Sequence, residues 1–322
     1  MTTTHFLGCD WGTSSFRLHL VDASTGESLC HIQDSDGIQA VRLRLTKTRP
    51  AEERSRWMRS LLREKTELLA RRSNMDIDGL PILVSGMASS SIGLCELPYA
   101  RLPLSLEKPN LVTRIFTPSE ILPHTILLIS GISGEDDVMR GEEIQVLGLS
   151  DQYSLDQSIC ILPGTHSKHL YIKDGNLVNF RSFLTGELFD LLQSHSILSE
   201  SVDAIDFGSP DSVSSFRKGV EESGSNSLLH SLFTIRARHL LKGSSPQNNY
   251  FRLSGLLIGT EVRELKSDVP IVLAGSGSLT KLYSEALNEM GIDHETETGT
   301  DRLTLLGQRK CLPLLNIDSS LI

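Results

Sequence analysis

Several signatures of common protein classes are missing from this chain of 322 residues. The five cysteines form no Cys-x-x-Cys pair and the ten histidines form no His-x-x-x-His pair, so no metal framework is indicated. The Gly-x-x-x-x-Gly-Lys-Ser/Thr sequence of a P-loop is absent, and so is the Gly-x-Ser-x-Gly turn of a serine hydrolase. The sequence therefore excludes a P-loop enzyme and offers neither a zinc site nor a nucleophile elbow.

Other absences concern location and partners. No apolar run approaches the ~20 residues that cross a bilayer, and no basic and apolar leader indicates secretion. Together with the scattered cysteines, this predicts a cytoplasmic protein without a membrane partner. The net charge of −9 argues against a nucleic-acid partner. The length favours two medium-sized cores over one large core.

A loop of small residues follows the first predicted strand. Phe6 and Leu7 predict a buried strand, residues 16–22 alternate as a second strand does, and Cys9-Asp-Trp-Gly-Thr-Ser-Ser lies between them. The amides and hydroxyls of such a loop would cradle phosphate, and Asp10 would hold a cation such as Mg²⁺. The alternative for Asp10 is a strand-end residue that caps the turn. The predicted phosphate-binding residues here are Gly12, Thr13, Ser14 and Ser15.

The same pattern occurs a second time. Residues 159–162 lead into Pro163-Gly-Thr-His-Ser-Lys, so Gly-Thr-x-Ser begins at residue 12 and again at residue 164. A second echo relates Pro81-Ile-Leu-Val-Ser-Gly to Pro270-Ile-Val-Leu-Ala-Gly. Two copies of one unit predict an α/β fold with two similar lobes, 1–153 and 154–322, around a central nucleotide cleft. The second set of predicted phosphate-binding residues is Gly164, Thr165, His166 and Ser167.

Charged residues near these loops suggest phosphoryl transfer. Arg17 or Lys168 could stabilise charge in the transition state, although either could instead be a solvated strand residue. Asp137 is the candidate general base that accepts the proton of a hydroxyl. It also precedes a predicted helix starting at Val138, so helix capping is an equal alternative, and Glu135 or Asp136 could take its place.

A further glycine turn, Gly275-Ser276-Gly277, follows the predicted strand Ile271–Ala274. Such a turn allows close backbone approach to the adenosine of a nucleotide. Thr280 occupies the place of the third glycine in Gly-x-Gly-x-x-Gly, so a dinucleotide fingerprint is not indicated. Elsewhere the pattern predicts a helix over Ala51–Ser73, an irregular connection over residues 37–50 and a last helix over residues 301–315.

Motifs spread over nearly the whole chain resemble the 2-dehydro-3-deoxygalactonokinase family of the actin-like ATPase superfamily. They are Asp10-Trp-Gly-Thr-Ser-Ser, Ser85-Gly-Met, Asp137-Val-Met-Arg-Gly-Glu-Glu, Leu162-Pro-Gly-Thr-His-Ser-Lys, Phe183-Leu-Thr-Gly-Glu-Leu-Phe, His195-Ser-Ile-Leu and Arg252-Leu-Ser-Gly-Leu-Leu-Ile-Gly. The resemblance implies ribonuclease H-like lobes and a cytoplasmic kinase. It also implies phosphorylation of the 6-hydroxyl of 2-dehydro-3-deoxy-D-galactonate, in galactonate catabolism. By the same analogy, Asp10 and both Gly-Thr loops handle Mg²⁺ and ATP, and Asp137 is the base.

One stretch departs from the family pattern. Where the family is expected to run Gly-Met-x-Gly-Ser and then Gly-Trp, this chain has Gly86-Met-Ala-Ser-Ser-Ser-Ile-Gly-Leu. We expect this segment to line the sugar-acid pocket, so a kinase for a different sugar acid stays open. A carboxylate needs a cation, ideally a bidentate arginine. The candidate substrate residues are Gly86, Met87, Ser89 and one of Arg101, Arg140 or Arg181.

Two functions of other classes remain open at this level. One is a phosphohydrolase on the same fold, which would use water in place of the sugar. The other is a nucleotide-dependent regulator or chaperone-like protein, which is disfavoured because no helix-turn-helix segment precedes Asp10 and no substrate-binding domain follows Leu321. The expected partner is a small sugar acid, and a homodimer is left open.

Overall fold

The computed structural model describes residues 4–44, 50–204, 206–265 and 269–316. The strands are β1 His5–Trp11, β2 Phe16–Asp22, β3 Ser28–Asp34, β4 Ile82–Gly86, β5 Ala100–Arg101, β6 Leu104–Ser105, β7 Thr113–Phe116, β8 Ile126–Ile129, β9 Ile132–Ser133, β10 Val138–Met139, β11 Gln157–Leu162, β12 Ser167–Lys173, β13 Asn176–Phe183, β14 Ile271–Ala274 and β15 Glu295–Glu297. The helices are α1 Ile38–Arg44, α2 Ala51–Ser73, α3 Glu142–Leu149, α4 Thr185–His195, α5 Pro210–Glu222, α6 Leu228–Lys242, α7 Pro246–Val262, α8 Gly277–Glu289 and α9 Thr300–Lys310. Short 3₁₀ turns cover Met87–Ser89 and Leu312–Asn316.

The chain divides into two compact units. Unit 1 comprises residues 1–156, 173–179 and 300–322, and unit 2 comprises residues 157–172 and 180–299. The first passage from one unit to the other lies close to the predicted boundary at 153/154. Two segments assigned by sequence to the second lobe, 173–179 and the stretch from residue 300, belong instead to unit 1.

The last helix joins unit 1 through close packing. A Cβ on Gly148 of α3 would overlap the carbonyl of Leu303, and a Cβ on Gly307 of α9 would overlap the carbonyl of Ile144. The two helices therefore cross with their backbones in contact. Gln308 of α9 also donates through Nε2 to the carbonyl of Cys9 at 2.9 Å.

The sheets of the two units follow the same strand order. In unit 1 the order is β3-β2-β1-β4-β8-β7, with β1 antiparallel to β2 and parallel to β4, and β4 parallel to β8. In unit 2 the order is β13-β12-β11-β14-β15, with β14 parallel to both β11 and β15. In each unit, three consecutive strands form a meander. Two further strands, parallel to the first strand of the meander, lie beyond it in the sheet. The predicted α/β fold of two duplicated actin-like lobes is confirmed.

Each unit has its own apolar core. In unit 1, side chains of β1 and β2 pack against one face of α2, whose buried residues include Met58, Leu62 and Leu69. The predicted bounds of α2 are confirmed, and the helix ends where Asn74 adopts a left-handed conformation with φ 52°. In unit 2, β11 and β14 pack against α5, α7 and α8, with Phe216 and Phe251 among the buried residues.

Two local predictions were wrong. Residues 38–44 form α1 within the stretch expected to be irregular, and residues 45–49 lie outside the described residues. The amides of Ile38 and Gln39 donate to the carbonyls of Gly12 and Thr13, each at 3.0 Å. These tertiary hydrogen bonds stabilise a helix of seven residues, which would be too short to be stable in isolation. The helix expected from Val138 begins only at Glu142, because Val138 and Met139 pair with β9.

Candidate active site

The first Gly-Thr loop connects β1 to β2 at the carboxyl end of β1. The amide of Gly12 donates to the carbonyl of Ser15 at 2.9 Å, which closes the turn. Thr13 and Ser14 are exposed. A Cβ on Gly37 would overlap the backbone of Thr13, Ser14 and Ser15, so only glycine lets α1 begin directly against this loop. The loop backbone is therefore supported on one side by Gly37, while Thr13 and Ser14 at its tip are exposed to solvent.

Asp10 and Arg17 face each other at the base of this loop. They are partners in the β1–β2 register, and Arg17 Nη1 donates to Asp10 Oδ2 at 3.0 Å. Burial raises the pKa of Asp10, and the guanidinium of Arg17 opposes that rise. Within the described residues the carboxylate of Asp10 accepts from Arg17 and from no amide of the turn, so the turn-capping alternative is not supported.

The end of β4 lies beside Asp10. Gly86 has φ +84°, and a Cβ there would lie 2.9 Å from the carbonyl oxygen of Trp11 and 3.3 Å from Asp10 Oδ1. Gly141 also has a positive φ, +113°, and its own Cβ would contact Gly86. Glycine at position 86 lets the end of β4 approach the Asp10 carboxylate closely, and Gly141 in turn lies beside Gly86.

Arg140 and Ser89 are brought together in unit 1. Arg140 Nη1 donates to the carbonyl of Ser89 at 2.7 Å and to its Oγ at 2.5 Å. The guanidinium also lies 4.4 Å from the ring centre of Tyr99, an aromatic residue that the sequence analysis did not single out. Met87 is half-buried in the intervening turn. One nitrogen of the guanidinium is thus held by Ser89, in the segment predicted to line the sugar-acid pocket, and one face lies against Tyr99.

The other two candidate arginines have different surroundings. Arg101 is exposed in β5 of unit 1. Arg181 belongs to unit 2, where its Nη1 lies 3.2 Å from Glu264 Oε2 and its guanidinium 5.2 Å from the ring centre of Phe183. Of the three, Arg140 alone contacts another predicted substrate residue through a hydrogen bond in the described structure.

Asp137 lies in the turn between β9 and β10. Its Oδ1 accepts from the amide of Val138 at 2.7 Å, and its carbonyl accepts from Gly134 at 2.9 Å. The helix-capping alternative is wrong, since α3 begins five residues later with Gly141 as its N-cap. The neighbouring acids Glu135 and Asp136 are exposed.

Two other carboxylates accept hydrogen bonds from the backbone amides just before α3. Glu142 Oε2 accepts from the amide of Arg140 at 3.1 Å, and Glu143 Oε2 accepts from the amide of Gly141 at 2.7 Å. Glu143 is fully buried, and its Oε1 has no hydrogen-bond partner. Burial, with the charge of Glu142 second, raises the pKa of Glu143 to about 8.

The second Gly-Thr loop follows β11 in unit 2. Glu187 of α4 donates its amide to the carbonyl of Thr165 at 2.9 Å, and its Oε2 lies 2.5 Å from His166 Nε2. A Cβ on Gly186 would overlap the carbonyl of Gly164, so α4 begins in contact with the loop. Lys168 is buried, and its Nζ donates to the carbonyl of His166 at 2.9 Å, so it is not a solvated strand residue.

A cavity of about 260 Å³ opens beside this loop. Its walls come from the loop, the start of α4, one face of α7 and the first turns of α8, and they include Gly164, Thr165, Thr185, Tyr250, Ser278 and Tyr283. The turn Gly275-Ser276-Gly277 leads from β14 directly into that wall, and Gly277 has φ +67° as the first residue of α8. The predicted adenosine turn and the second phosphate loop thus meet at one concave site.

Ser167, although predicted to bind phosphate, does not line this cavity. It is fully buried as the first residue of β12, and its Oγ donates to Glu261 Oε1 at 2.6 Å. Glu261 was not among the candidates drawn from the sequence. A signal was present, since this acid is the one charged residue in the otherwise uncharged, Leu- and Ile-rich stretch Leu253-Ser-Gly-Leu-Leu-Ile-Gly-Thr-Glu-Val.

Comparisons with known proteins agree with these features. A model of the 2-keto-3-deoxy-galactonokinase family matches residues 10–310. A probable 2-dehydro-3-deoxygalactonokinase of Rhizobium meliloti (strain 1021) is 31% identical over 91% of this chain and 92% of its own length. The 2-dehydro-3-deoxygalactonokinase of Escherichia coli (strain K12) is 29% identical over 90% and 92%. A crystal structure of a Sinorhizobium meliloti protein assigned to the same activity has a TM-score of 0.77 at 28% identity, covering 97% of this chain and all of that one.

The duplicated actin-like topology, the paired Gly-Thr loops and these relatives define a sugar kinase, a phosphotransferase with an alcohol group as acceptor. More particularly, the chain belongs to the 2-keto-3-deoxy-galactonokinase family. The kinase prediction is confirmed. The family also supports ATP as the phosphate donor. No helix in the described ranges is long and apolar enough to cross a membrane.

Proposed function

We propose that the protein transfers the γ-phosphoryl group of ATP to the 6-hydroxyl of 2-dehydro-3-deoxy-D-galactonate, as a step of galactonate catabolism. The observation that carries the proposal is the family match over residues 10–310, which includes both Gly-Thr loops, Asp137 and Arg140. Two relatives named for this activity cover nine tenths of the chain. The sugar acid is the expected small-molecule partner.

Unit 2 supplies the nucleotide pocket in this proposal. The adenosine enters the cavity beside Gly275, Ser276 and Gly277, because glycine at position 277 adopts the positive φ of this turn and carries no Cβ where α8 begins. The amides at the start of α4 and of the second loop carry the partial positive charge of a helix N-terminus, which favours phosphate oxygens. The residues of this loop are Gly164, Thr165 and His166, and Ser167 and Lys168 follow it as the first residues of β12.

Unit 1 supplies the first phosphate loop and the metal residue. Gly12, Thr13, Ser14 and Ser15 offer the amides and hydroxyls of an open turn. Asp10 would hold Mg²⁺, directly or through water. The donor set fits, since Mg²⁺ commonly takes one or two carboxylates and completes its shell with water and substrate phosphates. When bound, the ion would neutralise charge on the phosphates, while Arg17 fixes the orientation of the Asp10 carboxylate.

The acceptor side of the reaction rests on two residues of unit 1. Asp137 accepts the proton of the attacking hydroxyl, and its turn is fixed through the carbonyl bond to Gly134 rather than through a helix. Arg140 pairs with the carboxylate of the sugar acid, and Tyr99 and Ser89 hold its guanidinium in one plane. Gly86 and Met87 lead from β4 into the turn that contains Ser89.

The test is ADP release, measured with Mg²⁺, across a panel of sugar acids. The panel contains the 2-dehydro-3-deoxy acids of galactonate and gluconate, their parent aldonates and a control without sugar. Turnover on the galactonate-derived acid is expected to exceed turnover on every other compound. Turnover of a different acid alone would mean that the protein is a kinase but that its substrate is not the proposed one. Equal ADP release with and without sugar would contradict a kinase.

The proposal extends to location and assembly. All five cysteines are free thiols, which supports a reducing compartment such as the cytoplasm. A homodimer is the assembly to test, by light scattering at several protein concentrations. A mass of 35.5 kDa at every concentration would identify a monomer.

A further inference from the structure

Glu261 of α7 is a buried carboxylate for which the proposed reaction has no role. Its side chain is 1% exposed, and it lies where α7 faces the first residues of β12. No arginine or lysine contacts it among the described residues. Since an isolated buried carboxylate is strongly unfavourable, its environment must supply hydrogen bonds in place of water.

Four side chains from three other elements supply them. Ser167 Oγ donates to Glu261 Oε1 at 2.6 Å, and His169 Nε2 lies 3.0 Å from the same oxygen. Tyr283 Oη donates to Oε2 at 2.6 Å, and Thr185 Oγ1 donates to the same Oε2. A carboxylate group has about four lone-pair sites, so the three hydroxyl groups and His169 Nε2 together occupy its hydrogen-bonding capacity.

Two of the partners line the nucleotide cavity, and a third directly follows the loop that lines it. Thr185 begins α4 and Tyr283 lies in α8, and both line the cavity. Ser167 directly follows the loop that contributes Gly164 and Thr165 to the same cavity. Glu261 itself does not line it. The Glu261 carboxylate therefore bonds, from outside the cavity, to side chains of β12, α4 and α8.

We infer that Glu261 is a positioning residue that sets the geometry of the nucleotide pocket. It holds the second Gly-Thr loop, the start of α4 and α8 in one arrangement, because separating any of them leaves a buried donor or a buried carboxylate unpaired. Binding groups fixed before the ligand arrives lose less conformational entropy when it binds. The inference deepens the proposed function and rests on its assignment of this cavity to ATP.

The experiment uses the full chain with Glu261→Gln. The amide places N–H donors against side chains that are themselves donors, so about half of the network loses its acceptor. We expect the Kd of MgATP, measured by calorimetry well below the unfolding temperature of the variant, to rise at least tenfold. The KM for ATP is expected to rise with it, while the KM for the sugar acid stays within twofold.

Glu222→Gln is the matched control. Glu222 is a partly buried carboxylate of unit 2 that bonds to Arg238 and Arg252 and does not line the cavity. We expect this substitution to lower the Tm of the free protein without changing the Kd of MgATP. A role of Glu261 in stability alone would give both variants the same pattern.

The outcomes separate the inference from the proposed function. If the wild type does not bind MgATP, the proposed function fails at its first requirement. If the wild type binds and Glu261→Gln binds equally well, the kinase stands and the positioning role is overturned. Should Glu261→Gln not fold, Ser167→Ala and Tyr283→Phe each remove one donor. Both are expected to raise the Kd of MgATP at least threefold, and unchanged values would overturn the inference.

Discussion

Arg17 Nη1 and Asp10 Oδ2 lie 3.0 Å apart across the first two strands of unit 1. The pair sits at the base of the first Gly-Thr loop, and Asp301 approaches the same guanidinium, with its Oδ1 3.6 Å from Arg17 Nε. From the sequence alone, Arg17 and Asp10 are separate candidates. Their pairing makes the charge of Asp10 depend on Arg17, because burial alone would favour the protonated acid.

Arg17→Gln is therefore expected to raise the pKa of Asp10 further. The acid limb of the kcat/KM profile moves to higher pH, since the carboxylate must be ionised to hold a cation. Loss of a charge-assisted hydrogen bond of ~1.5–3 kcal/mol corresponds to a roughly tenfold to hundredfold fall in kcat/KM. Arg302→Gln removes a surface pair with Glu27 in the same unit and serves as control. An unmoved acid limb in Arg17→Gln would argue against the coupling.

Arg140→Lys tests the carboxylate site. Lysine keeps the charge but loses the planar fork and the stacking on Tyr99, so we expect the KM for the sugar acid to rise about tenfold or more. The KM for ATP should change little. Arg181→Lys, measured in parallel, decides between the candidates. A larger effect there than at Arg140 would reassign the carboxylate contact.

Asp137→Asn removes the proposed base while preserving the shape of its turn. We expect kcat to fall by about 10²- to 10⁴-fold, the usual contribution of a general base. The Kd of MgATP should be unchanged. Asp136→Asn changes the exposed neighbour and is the matched control. Near-normal turnover in Asp137→Asn would remove this residue from the mechanism.

Glu143 predicts a specific dependence of stability on pH. Its pKa is raised from 4.5 to about 8 in the folded protein, so the unfolded chain loses this proton at lower pH than the folded chain does. The contribution of Glu143 to the free energy of unfolding is therefore fully present below about pH 4.5. It falls by up to ~1.4 kcal/mol per pH unit as the pH rises towards about 8. Glu143→Gln should gain Tm relative to the wild type between pH 5 and pH 8.

The control for Glu143 has the opposite shift. Two arginines and their hydrogen bonds lower the pKa of Glu222 to about 2 despite its burial, so its contribution is lost only as the pH falls from about 4.5 towards 2. Glu222→Gln should thus show a constant Tm difference from the wild type between pH 5 and pH 8. If Glu143→Gln also shows a constant difference, the carboxyl group does not titrate in that interval.

Gly37→Ala tests the support of the first loop. A Cβ there overlaps the backbone of residues 13–15, so α1 and the loop must separate, at a cost of roughly 1–3 kcal/mol. We expect a lower Tm and weaker binding of MgATP. Gly79→Ala meets no neighbouring atom and adds only the ~1–2 kcal/mol of a left-handed backbone, so it should lower Tm alone. Equal nucleotide affinity in both variants would contradict the role of Gly37.

Local patterns were sufficient for much of the fold. The helix over Ala51–Ser73 and the strand Ile271–Ala274 have the predicted bounds because their apolar periodicity is continuous and their ends carry clear breaks. The repeat of Gly-Thr-x-Ser was enough to predict two units of one topology. Where the pattern was short, hydrogen bonds to another element decided the outcome: α1 bonds to the first Gly-Thr loop, and β10 pairs with the neighbouring strand β9.

The sequence by itself determined the duplicated α/β architecture, the family and the positions of both Gly-Thr loops, since each depends on residues adjacent in the chain. Only the tertiary structure decided which side chains meet. Ser167 and Glu261 are 94 residues apart, and Arg140 and Ser89 are 51 apart. Such contacts depend on how strands and helices pack, and no local periodicity encodes them. The same reason moved α9 to unit 1, where glycines of two distant helices allow their backbones to touch.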